Sequence, residues 1–427
     1  MNSLGRHILV EYYGCSQRIL TDASILEEVV VKAAKDAGAT VLNSTFHHFS
    51  PVGTSGVVVI QESHLAIHTW PEFQYAAVDL FTCGDQINPW ISYESLKNSL
   101  ESTYASPLEL LRGQIGMLPK TATDEEHYEY EDEPVTQVDY NRNVWFTEWE
   151  NDSGLSLKHR GSKLVDKHSE FQKLEVFDTY KYGKMLALDG VITTTEKDEY
   201  VYHEMLTHPA MQVAPDATRA LVIGGGDGGI ARELLRYSQL REVVIAEIDR
   251  EVIDVAKEHF PQLASSFNDE RTSLEIINGI EYAQGLEDNS FDVIIVDSPD
   301  PVGQAKGLFS REFYRDLHRA LTPTGVLVTQ SESPRFNEET FCAVAKCHRE
   351  IFGKDNAWTY LAFVPTYTSG MWSFSMAAKS GHNPLEDFDD AKAKEFSKTT
   401  GLRYYNEEIH RAAFVLPTYV REMIEDI

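Results

Sequence analysis

Two neighbouring stretches near the amino terminus, at 62–70 and 75–84, contain a serine, two histidines and a thiol. Both alternate apolar and polar residues with the two-residue period of half-buried strands, and a proline ends the first. We expect a hairpin that brings Ser63, His68 and Cys83 together near one end. Hydroxyl, imidazole and thiol groups serve in nucleophilic and acid–base catalysis. Taken singly, each of these residues is also explained by a packed sheet, with the cysteine acting as a small apolar side chain.

Residues 1–115 resemble the bacterial-type, pyruvoyl-dependent S-adenosylmethionine decarboxylases over nearly their whole length. The resemblance is carried, in order along the chain, by GRH at 5–7, STFHHF at 44–49, Gly53, SGVVV at 55–59, ESH at 62–64, HTWPE at 68–72 and FTCG at 81–84. So many ordered segments make the resemblance highly specific.

The resemblance implies an electron sink made from the chain itself. Decarboxylation of an amino acid leaves a carbanion, so the site must hold a group that accepts electrons. In this family the Ser63 hydroxyl would attack the Glu62 carbonyl, and the chain would break between them to leave a pyruvoyl group derived from Ser63. His68 would take the proton in this self-cleavage, because neutral imidazole is a base near pH 7. Cys83 would reprotonate the decarboxylated carbon, and no metal is implied.

Two further residues and an assembly follow from the same resemblance. Ser55 would assist the processing, and Phe49 would stack on adenine. The family pairs two copies and builds its active sites at their junction, which implies a homodimer or a higher homo-oligomer. A sheet covered by helices on one side only is also left with a face that needs a partner.

Length and charge restrict the function classes. The chain of 427 residues is too long for one ordinary core and predicts two or three domains. Its hydrophobic content of 42% is typical of a globular protein, and its formal net charge is −29. Nucleic acids and anionic membranes require basic patches, so this acidity argues against both as partners. It suits cationic substrates, although solubility alone also accounts for it.

The four cysteines, at 15, 83, 342 and 347, show neither metal-ligand spacing nor a disulfide framework, which favours a reducing compartment. No apolar stretch approaches the ~20 residues that span a bilayer, and the amino terminus lacks the apolar core of a signal peptide. We therefore expect a cytoplasmic protein.

The first predicted domain, residues 1–118, is an α+β two-layer sandwich of the S-adenosylmethionine decarboxylase type. Ser24 and Glu27 form a capping box for a helix that Gly38 ends. Strands are predicted at 6–13, 57–60, 65–70 and 76–83, and a second helix at about 93–104.

Three further regions follow. A block of like charge at 124–134 predicts an extended linker at 119–138, with an acidic interaction tail as the alternative. Short alternating segments broken by glycines, Gly161 among them, predict a small antiparallel β subdomain at 139–200. Strands that alternate with helices predict a Rossmann-like, doubly wound α/β domain at 201–427.

Within the last domain a predicted strand runs into the glycine-rich turn at 224–229, where the backbone can approach a ligand closely. The next predicted strand ends at Glu247, where nucleoside-binding sheets place the carboxylate that binds ribose hydroxyls. A third predicted strand, at 291–296, brings Asp297 and Asp300 to the same edge. Paired aspartates favour an adenosyl sulfonium over a dinucleotide, which leaves a methyltransferase or an aminopropyltransferase.

Residues 139–427 resemble spermidine synthase over nearly their whole length. The resemblance is carried by LDGVI at 188–192, TEKDEY at 195–200, YHEM at 202–205, GGGDGG at 224–229, DSPDPVG at 297–303, GLF at 307–309, QSESP at 330–334, PTY at 365–367 and YYN at 404–406.

Aminopropyl transfer needs a base, because an alkylamine with a pKa near ~10.4 is almost wholly protonated at neutral pH. The resemblance assigns this role to Asp297, with Tyr202 beside it, and positioning of the two reactants lowers the barrier further. The residues implied at the sulfonium nucleoside are Gln172, Asp227, Glu247, Asn278 and Gly279. Those implied along the diamine channel and its loop are His203, Asp300, Gln304, Glu332, Trp145 and Tyr367. A helix cap at Asp227 and a turn opened by Asp300 are the structural alternatives.

Three positions depart from the family pattern. Asn278 replaces an aspartate that binds the adenine amino group, and its amide oxygen can still accept that hydrogen bond. Pro299 replaces a threonine, and Gln304 replaces a proline in the loop over the site. These two changes concern polyamine specificity and loop dynamics.

The resulting hypothesis is a bifunctional enzyme of polyamine biosynthesis. One half would decarboxylate S-adenosylmethionine, and the other would transfer the aminopropyl group of that product to putrescine, giving spermidine and methylthioadenosine. Ornithine or arginine decarboxylation, or an inactive dimerisation module, are the alternatives for the first half. Phe49 and Glu72 favour the adenosyl substrate. The acceptor amine stays open among putrescine, cadaverine, diaminopropane and longer polyamines.

Overall fold

The computed structural model of the chain consists of two compact units, Met1–Val135 and Thr136–Ile427. The residues that the structure describes are 3–83, 87–114, 144–148, 154–298, 307–368, 370–380, 382–425 and 427. The predicted linker at 119–138 lies outside the described residues. Among the described residues, none of the helices combines the length and the apolar character needed to cross a bilayer.

The first unit is built on one antiparallel sheet. Its described elements are β1 (Ser3–Tyr13), α1 (Gln17–Thr21), α2 (Ala23–Asp36), β2 (Val41–His48), β3 (Thr54–Ile60), β4 (Ser63–Trp70), β5 (Tyr75–Cys83), α3 (Pro89–Ser99) and β6 (Tyr104–Gln114), with a 3₁₀ turn at Pro71–Phe73. The strands follow the order β2-β3-β4-β5-β1-β6. The four predicted strands are confirmed, and β2 and β6 are additional to the prediction.

The core of this unit lies between the helices and one face of the sheet. Ile8, Val10 and Tyr12 alternate along β1 and are buried in one apolar cluster with Leu26 and Val30 of α2. Each such side chain contributes about 1.5–3 kcal/mol through burial. The β1 residues between them remain partly exposed, so the sheet has one packed face and one open face.

The helix α2 begins two residues earlier than predicted. Its N-cap is Asp22, whose carboxylate accepts hydrogen bonds from the backbone N–H groups of Ser24 at 2.9 Å and Ile25 at 3.1 Å. The predicted Ser24 capping box is therefore wrong, because the carboxylate two residues earlier already satisfies these donors. The predicted end is confirmed, since Gly38 has a φ of +86° and its N–H donates to the Lys35 carbonyl.

The second predicted helix is misplaced. It spans Pro89–Ser99 instead of 93–104, with the Asn88 side chain accepting from the Trp90 N–H at 3.2 Å. Residues 104–114 form β6, which pairs with β1 along its length. Leucines at 108, 110 and 111 suit a helix locally, and the pairing with β1 overrides this preference.

The second unit begins with a five-stranded antiparallel sheet. Its strands are β7 (Val144–Thr147), β8 (Ser156–His168), β9 (Lys173–Thr179), β10 (Lys184–Leu188) and β11 (Val191–Thr195), in the order β11-β10-β9-β8-β7. The prediction of antiparallel strands here is confirmed. The predicted break at Gly161 is wrong, because β8 continues through it with a φ of +106° and a shift of register against β9.

A seven-stranded sheet forms the rest of this unit. Its strands are β12 (Arg219–Gly224), β13 (Glu242–Glu247), β14 (Thr272–Ile276), β15 (Phe291–Asp297), β16 (Leu321–Gln330), β17 (Ala357–Phe363) and β18 (Met371–Ala378). Its helices are α4 (Glu199–Val213), α5 (Gly229–Leu234), α6 (Arg250–His259), α7 (Pro261–Ala264), α8 (Gly279–Gly285), α9 (Arg311–Ala320), α10 (Glu338–Phe352), α11 (Asp390–Thr400), α12 (Glu407–Ala413) and α13 (Thr418–Glu425).

The strand order is β14-β13-β12-β15-β16-β18-β17, and the first five strands are parallel. The prediction of a parallel sheet is confirmed for these five, whereas β18 pairs antiparallel with both β16 and β17. An unpredicted strand, β14, makes β15 the fourth strand instead of the third. The order reverses between β12 and β15, and ligands of such sheets bind at this switch point, beyond the carboxyl ends of the strands.

The cap correction gives a stability prediction. We expect Asp22→Ala to lower the stability of α2 by about 1 kcal/mol, because two backbone donors lose their acceptor. Faster deuterium uptake by the amides of 23–36 measures this loss. The matched control Ser24→Ala is expected to change uptake little, since its hydroxyl caps nothing. A larger effect from Ser24→Ala would restore the predicted capping box.

Candidate active sites

In the first unit, Ser63 opens β4 directly after the two-residue turn formed by Gln61 and Glu62. Two-residue hairpin turns normally place positive φ angles within the turn. Here neither turn residue has one, and Ser63 itself has a φ of +144°. A serine in this region of φ stores about 1–3 kcal/mol of backbone strain. The strain therefore falls on the residue that follows the predicted cleavage point.

The predicted cleavage point is fixed by three hydrogen bonds. The Glu62 carbonyl oxygen accepts from the Cys83 backbone N–H at 2.7 Å. The Glu62 carboxylate accepts from the Thr40 backbone N–H at 3.2 Å. The Ser63 Oγ lies 3.2 Å from Nδ1 of His64, a contact that the sequence argument did not anticipate. The adjacent position of His64 in the chain was the available signal.

His68 does not join Ser63 and Cys83, so the predicted clustering of all three residues is wrong. Ser63 pairs with Thr82 at one end of the β4–β5 hairpin, and His68 lies five residues along β4. An extended chain rises about 3.3 Å per residue, which separates Ser63 from His68 by about 16 Å. The actual partner of His68 is Ser55, whose Oγ lies 2.7 Å from its Nδ1.

The open face of this sheet carries exposed aromatic rings. Tyr13, Trp70 and Tyr104 are 42%, 40% and 62% exposed, and the Tyr75 ring lies 5.3 Å from those of Tyr13 and Trp70. Phe49 is also exposed, with the His47 ring edge-on at 4.8 Å. An apolar face of this kind marks a surface that binds a partner or a ligand.

In the second unit, the glycine-rich turn lets charged groups approach the backbone. A Cβ on Gly226 would lie 2.7 Å from Oε2 of Glu247, and one on Gly229 would overlap the His203 ring. A Cβ on Gly225 would stand 3.8 Å from the Asp297 carboxylate. Glycine at these positions therefore leaves room at the switch point of the sheet.

Asp297 ends β15 in this space and is held by Tyr202 of α4. The Tyr202 hydroxyl donates to Oδ1 of Asp297 at 2.6 Å. Burial, with the negative charge of Asp227 second, raises the pKa of Asp297 to about 6, although the Tyr202 hydrogen bond opposes the shift. A carboxyl group with this pKa exchanges protons near neutral pH, as a general base does.

His203, one residue further along α4, is held between two acids. Its Nδ1 lies 2.7 Å from Glu199, and its Nε2 lies 3.2 Å from Asp227. Burial alone would lower the pKa of His203, but Asp227 and Glu199 outweigh it and raise the pKa to about 10. Arg232 in turn pairs with Glu199 at 2.8 Å. The imidazolium and the Gly229 N–H overcome the opposing effect of burial and keep the pKa of Asp227 low.

Glu247 ends β13 on the other side of the turn. Burial raises its pKa to about 7, with the charges of Asp249 and Asp297 adding to the shift. The Gln172 side chain donates to the carboxylate of Asp249 at 2.8 Å, and Asp249 also caps α6. Asp249 was not predicted as a site residue, although it follows Glu247 by two positions.

Asn278 and Gly279 stand at the start of α8. The Asn278 Oδ1 caps the helix by accepting from the Ile280 N–H at 2.9 Å. A carbonyl oxygen has two lone pairs, so this bond leaves capacity for a second donor. A Cβ on Gly279 would lie 2.5 Å from Ile223 on β12, so glycine is required by close packing.

Tyr367 borders a small cavity beside α4. The Tyr367 ring lies 5.5 Å from that of Tyr202, and both line the cavity with Asp198 and Glu199. Glu332 is buried at a φ of +66°, and its Oε1 accepts from the side chain of Gln330 at 3.0 Å.

Gln330 is a further residue that the sequence argument missed. It links Ser298 to Glu332. Its Nε2 also donates to the Ser298 carbonyl at 3.1 Å, and its Oε1 accepts from the Glu332 N–H. Trp145, on β7, is 52% exposed. Asp300 and Gln304 lie outside the described residues.

Three family models match the chain. Residues 6–113 match "S-adenosylmethionine decarboxylase", residues 144–196 match "Spermidine synthase tetramerisation domain", and residues 199–389 match "Spermine/spermidine synthase domain".

Relatives and solved structures match the second unit. The chain is 44% identical to a polyamine aminopropyltransferase of Alkaliphilus metalliredigens (strain QYMF) over 287 residues, which are 66% of this chain and 98% of that protein. It is 39% identical to the polyamine aminopropyltransferase of Methanocaldococcus jannaschii over 289 residues, which are 67% of this chain and 97% of that protein.

Two spermidine synthase crystal structures superpose on 69% of the chain at 37% identity. One, from Thermotoga maritima, has a TM-score of 0.63 and is covered over 98% of its length. The other, in complex with the transition state analogue AdoDATO, has a TM-score of 0.64 and is covered over 99%. The chain therefore belongs to the spermidine synthase family and carries, at residues 6–113, a domain of the S-adenosylmethionine decarboxylase family.

Proposed function

We propose that the chain is a bifunctional enzyme of polyamine biosynthesis. The first unit cleaves itself between Glu62 and Ser63 and decarboxylates S-adenosylmethionine. The second transfers the aminopropyl group of decarboxylated S-adenosylmethionine to putrescine, giving spermidine and methylthioadenosine. One observation carries the proposal: a strained Ser63 beside a hydrogen-bonded Glu62 carbonyl and a buried Asp297–Tyr202 pair occur in the same chain.

The residues around Ser63 fit a pyruvoyl group formed from it. The strained backbone favours breaking the chain here, and the exposed Cys83 ends β5 next to Thr82, which pairs with Ser63. A pyruvoyl group at residue 63 supplies the electron sink for decarboxylation. Cys83 then holds the proton that is returned to the substrate carbon. His68 lies too far along β4 to act on Ser63 of its own copy. Its processing role therefore requires that His68 reach the Ser63 of another copy.

Pairing of two copies through the open face supplies that route. Cys83 and His68 lie on the same face of the sheet but at opposite ends, six residues apart when His68 is projected onto its β5 partner Ala77. In an isologous dimer the same surface of both copies meets about a two-fold axis, so one end of the surface contacts the opposite end of its partner. The Ser63 and Cys83 end of one copy then meets the Ser55 and His68 end of the other, and the exposed aromatic rings become buried between them.

In the second unit, Asp297 removes the proton from the attacking amine. Tyr202 donates to Oδ1 and so orients the carboxylate, which leaves Oδ2 of Asp297 to face the substrate. His203 keeps Asp227 ionised, and this carboxylate attracts the cationic donor. The buried carboxylate of Glu332 and the rings of Tyr202 and Tyr367 suit the chain and far ammonium of a diamine. A neutral thioether then leaves as the carbon–nitrogen bond forms.

The two reactions are separable by single substitutions. We expect Ser63→Ala to leave the chain whole and abolish decarboxylation, while transfer from supplied decarboxylated donor persists. Asp297→Asn is the matched control and is expected to abolish transfer alone. Denaturing gels, carbon dioxide release and mass spectrometry of the polyamine product measure the three outcomes. Loss of both activities in either variant would contradict independent sites.

The shared site is tested by mixing two inactive chains. We expect a His68→Ala chain to stay whole when expressed alone and to be cleaved when co-expressed with a Ser63→Ala chain, because only the mixed dimer joins Ser63 to His68. Distinct affinity tags identify which chain is cut. Cleavage of His68→Ala alone, or none in isolated mixed dimers, would refute the shared site.

The pKa of Asp297 gives a pH dependence. A base with a pKa of about 6 is active above this pH, so kcat/KM for transfer is expected to fall about tenfold per pH unit below it. Rates with supplied donor and putrescine from pH 5 to about 9 measure this. If the amine instead had to lose its proton in solution, kcat/KM would rise steadily toward pH ~10 with no break near 6. A profile of that shape would rule out Asp297 as the base.

A further inference from the structure

Self-cleavage requires a base close to the Ser63 hydroxyl. Within one copy, His68 lies about 16 Å along the strand from Ser63. His64 is adjacent, and its Nδ1 lies 3.2 Å from the Ser63 Oγ. With its proton on Nε2, the His64 ring accepts the hydroxyl proton at Nδ1. The base nearest the nucleophile is therefore a neighbour in the same chain.

The carbonyl that Ser63 attacks is already polarised. Attack at the Glu62 carbonyl carbon places negative charge on its oxygen, and this oxygen accepts the Cys83 backbone N–H at 2.7 Å. A fixed backbone donor aimed at such an oxygen stabilises the tetrahedral state. The pairing of β4 with β5 holds this donor in place, because Ser63 and Thr82 are partners in register.

The His64 ring is held by the sheet. Its backbone pairs with Val59 on β3 and Phe81 on β5, and the Phe81 ring meets it edge-on with centroids 5.8 Å apart. Its position on a central strand limits the rotamers of the imidazole. Ser63 Oγ, His64 Nδ1 and the Cys83 N–H thus form one constellation around the Glu62 carbonyl.

Resting on the proposed function, we propose that His64 is the catalytic base of the first step of self-cleavage and acts within its own copy. The Ser63 O–H bond breaks and its proton passes to Nδ1 of His64, while the oxygen bonds to the Glu62 carbonyl carbon. The carbon–nitrogen bond of the peptide then breaks, and His64 returns the proton to the leaving nitrogen. The product is an ester between Glu62 and Ser63 with a free amine on residue 63.

The second step uses the other histidine. His68 of a second copy takes the proton from the Ser63 α-carbon, a double bond forms between the α- and β-carbons, and the bond between the β-carbon and the ester oxygen breaks to release the Glu62 carboxylate. The enamine left on residue 63 takes up a proton at its β-carbon and becomes an imine. Water then hydrolyses the resulting imine and ammonia leaves. Loss of His64 therefore blocks formation of the ester, whereas loss of His68 allows the ester to form and accumulate.

The test compares His64→Ala with His68→Ala in the full chain. We expect His64→Ala to produce the two fragments about 100-fold more slowly than wild type, the range of a lost general base. Added imidazole is expected to restore much of the rate. Hydroxylamine, which cuts esters but not peptides under mild conditions, is expected to cut His68→Ala chains and leave His64→Ala chains whole.

His48→Ala is the matched control, because His48 is an exposed histidine on β2 of the same sheet. It is expected to cleave at the wild-type rate. Wild-type cleavage of His64→Ala, no response to imidazole, or an ester in that variant would each overturn the role of His64. A wild-type chain that remains whole would instead overturn the proposed function, so the two failures are distinct.

Discussion

The burial of several carboxylates at one sheet edge is the constraint on which the second unit depends. Asp227 and Asp297 are both withdrawn from water, and two like charges there would each raise the pKa of the other. The chain of Arg232, Glu199 and His203 resolves this conflict on one side, since it delivers a positive charge to Asp227. Asp297 accepts a hydrogen bond from the Tyr202 hydroxyl, and the His203 charge acts on it more weakly, so burial still raises its pKa. The pKa of one acid is thus kept low and that of the other is raised to about 6, which fits the cation binding proposed for the first and the proton transfer proposed for the second.

The first unit obeys a constraint of a different kind, the length of an extended strand. Residues 63 and 68 cannot meet on a straight β4, whatever their chemistry. The sheet instead gives each end of the hairpin its own pair, Ser63 with His64 and His68 with Ser55. A reaction that needs all four then needs two sheets. The open aromatic face gives the proposed second copy a physical reason to bind, because pairing would bury apolar surface that water otherwise covers.

Local sequence patterns predicted much of this architecture. The alternation along β4 and β5 predicted the strands, and the glycine-rich turn at 224–229 predicted where Asp297 and Glu247 come together, because parallel strands end at one edge. These patterns could not predict which residues on different strands contact each other. The period of a strand says which face His68 occupies but not which residue stands opposite, so its contact with Ser55 appears only with the register of β3. Gln330 was not predicted for the same reason, since it binds the carbonyl of Ser298, which directly follows the neighbouring strand β15.

Both candidate sites contain residues in locally unfavourable conformations or environments. Ser63 and Glu332 have positive φ angles that non-glycine residues rarely adopt, and Asp297 is a buried acid whose environment disfavours its charge. The two strained residues are held by hydrogen bonds: the Cys83 N–H on β5 holds the Glu62–Ser63 turn, and the Gln330 side chain at the end of β16 holds Glu332. Relaxing either would stabilise the backbone locally but move the reactive group. The strain therefore persists because the surrounding hydrogen bonds over-determine it, at the two places where the proposed reactions need a fixed group.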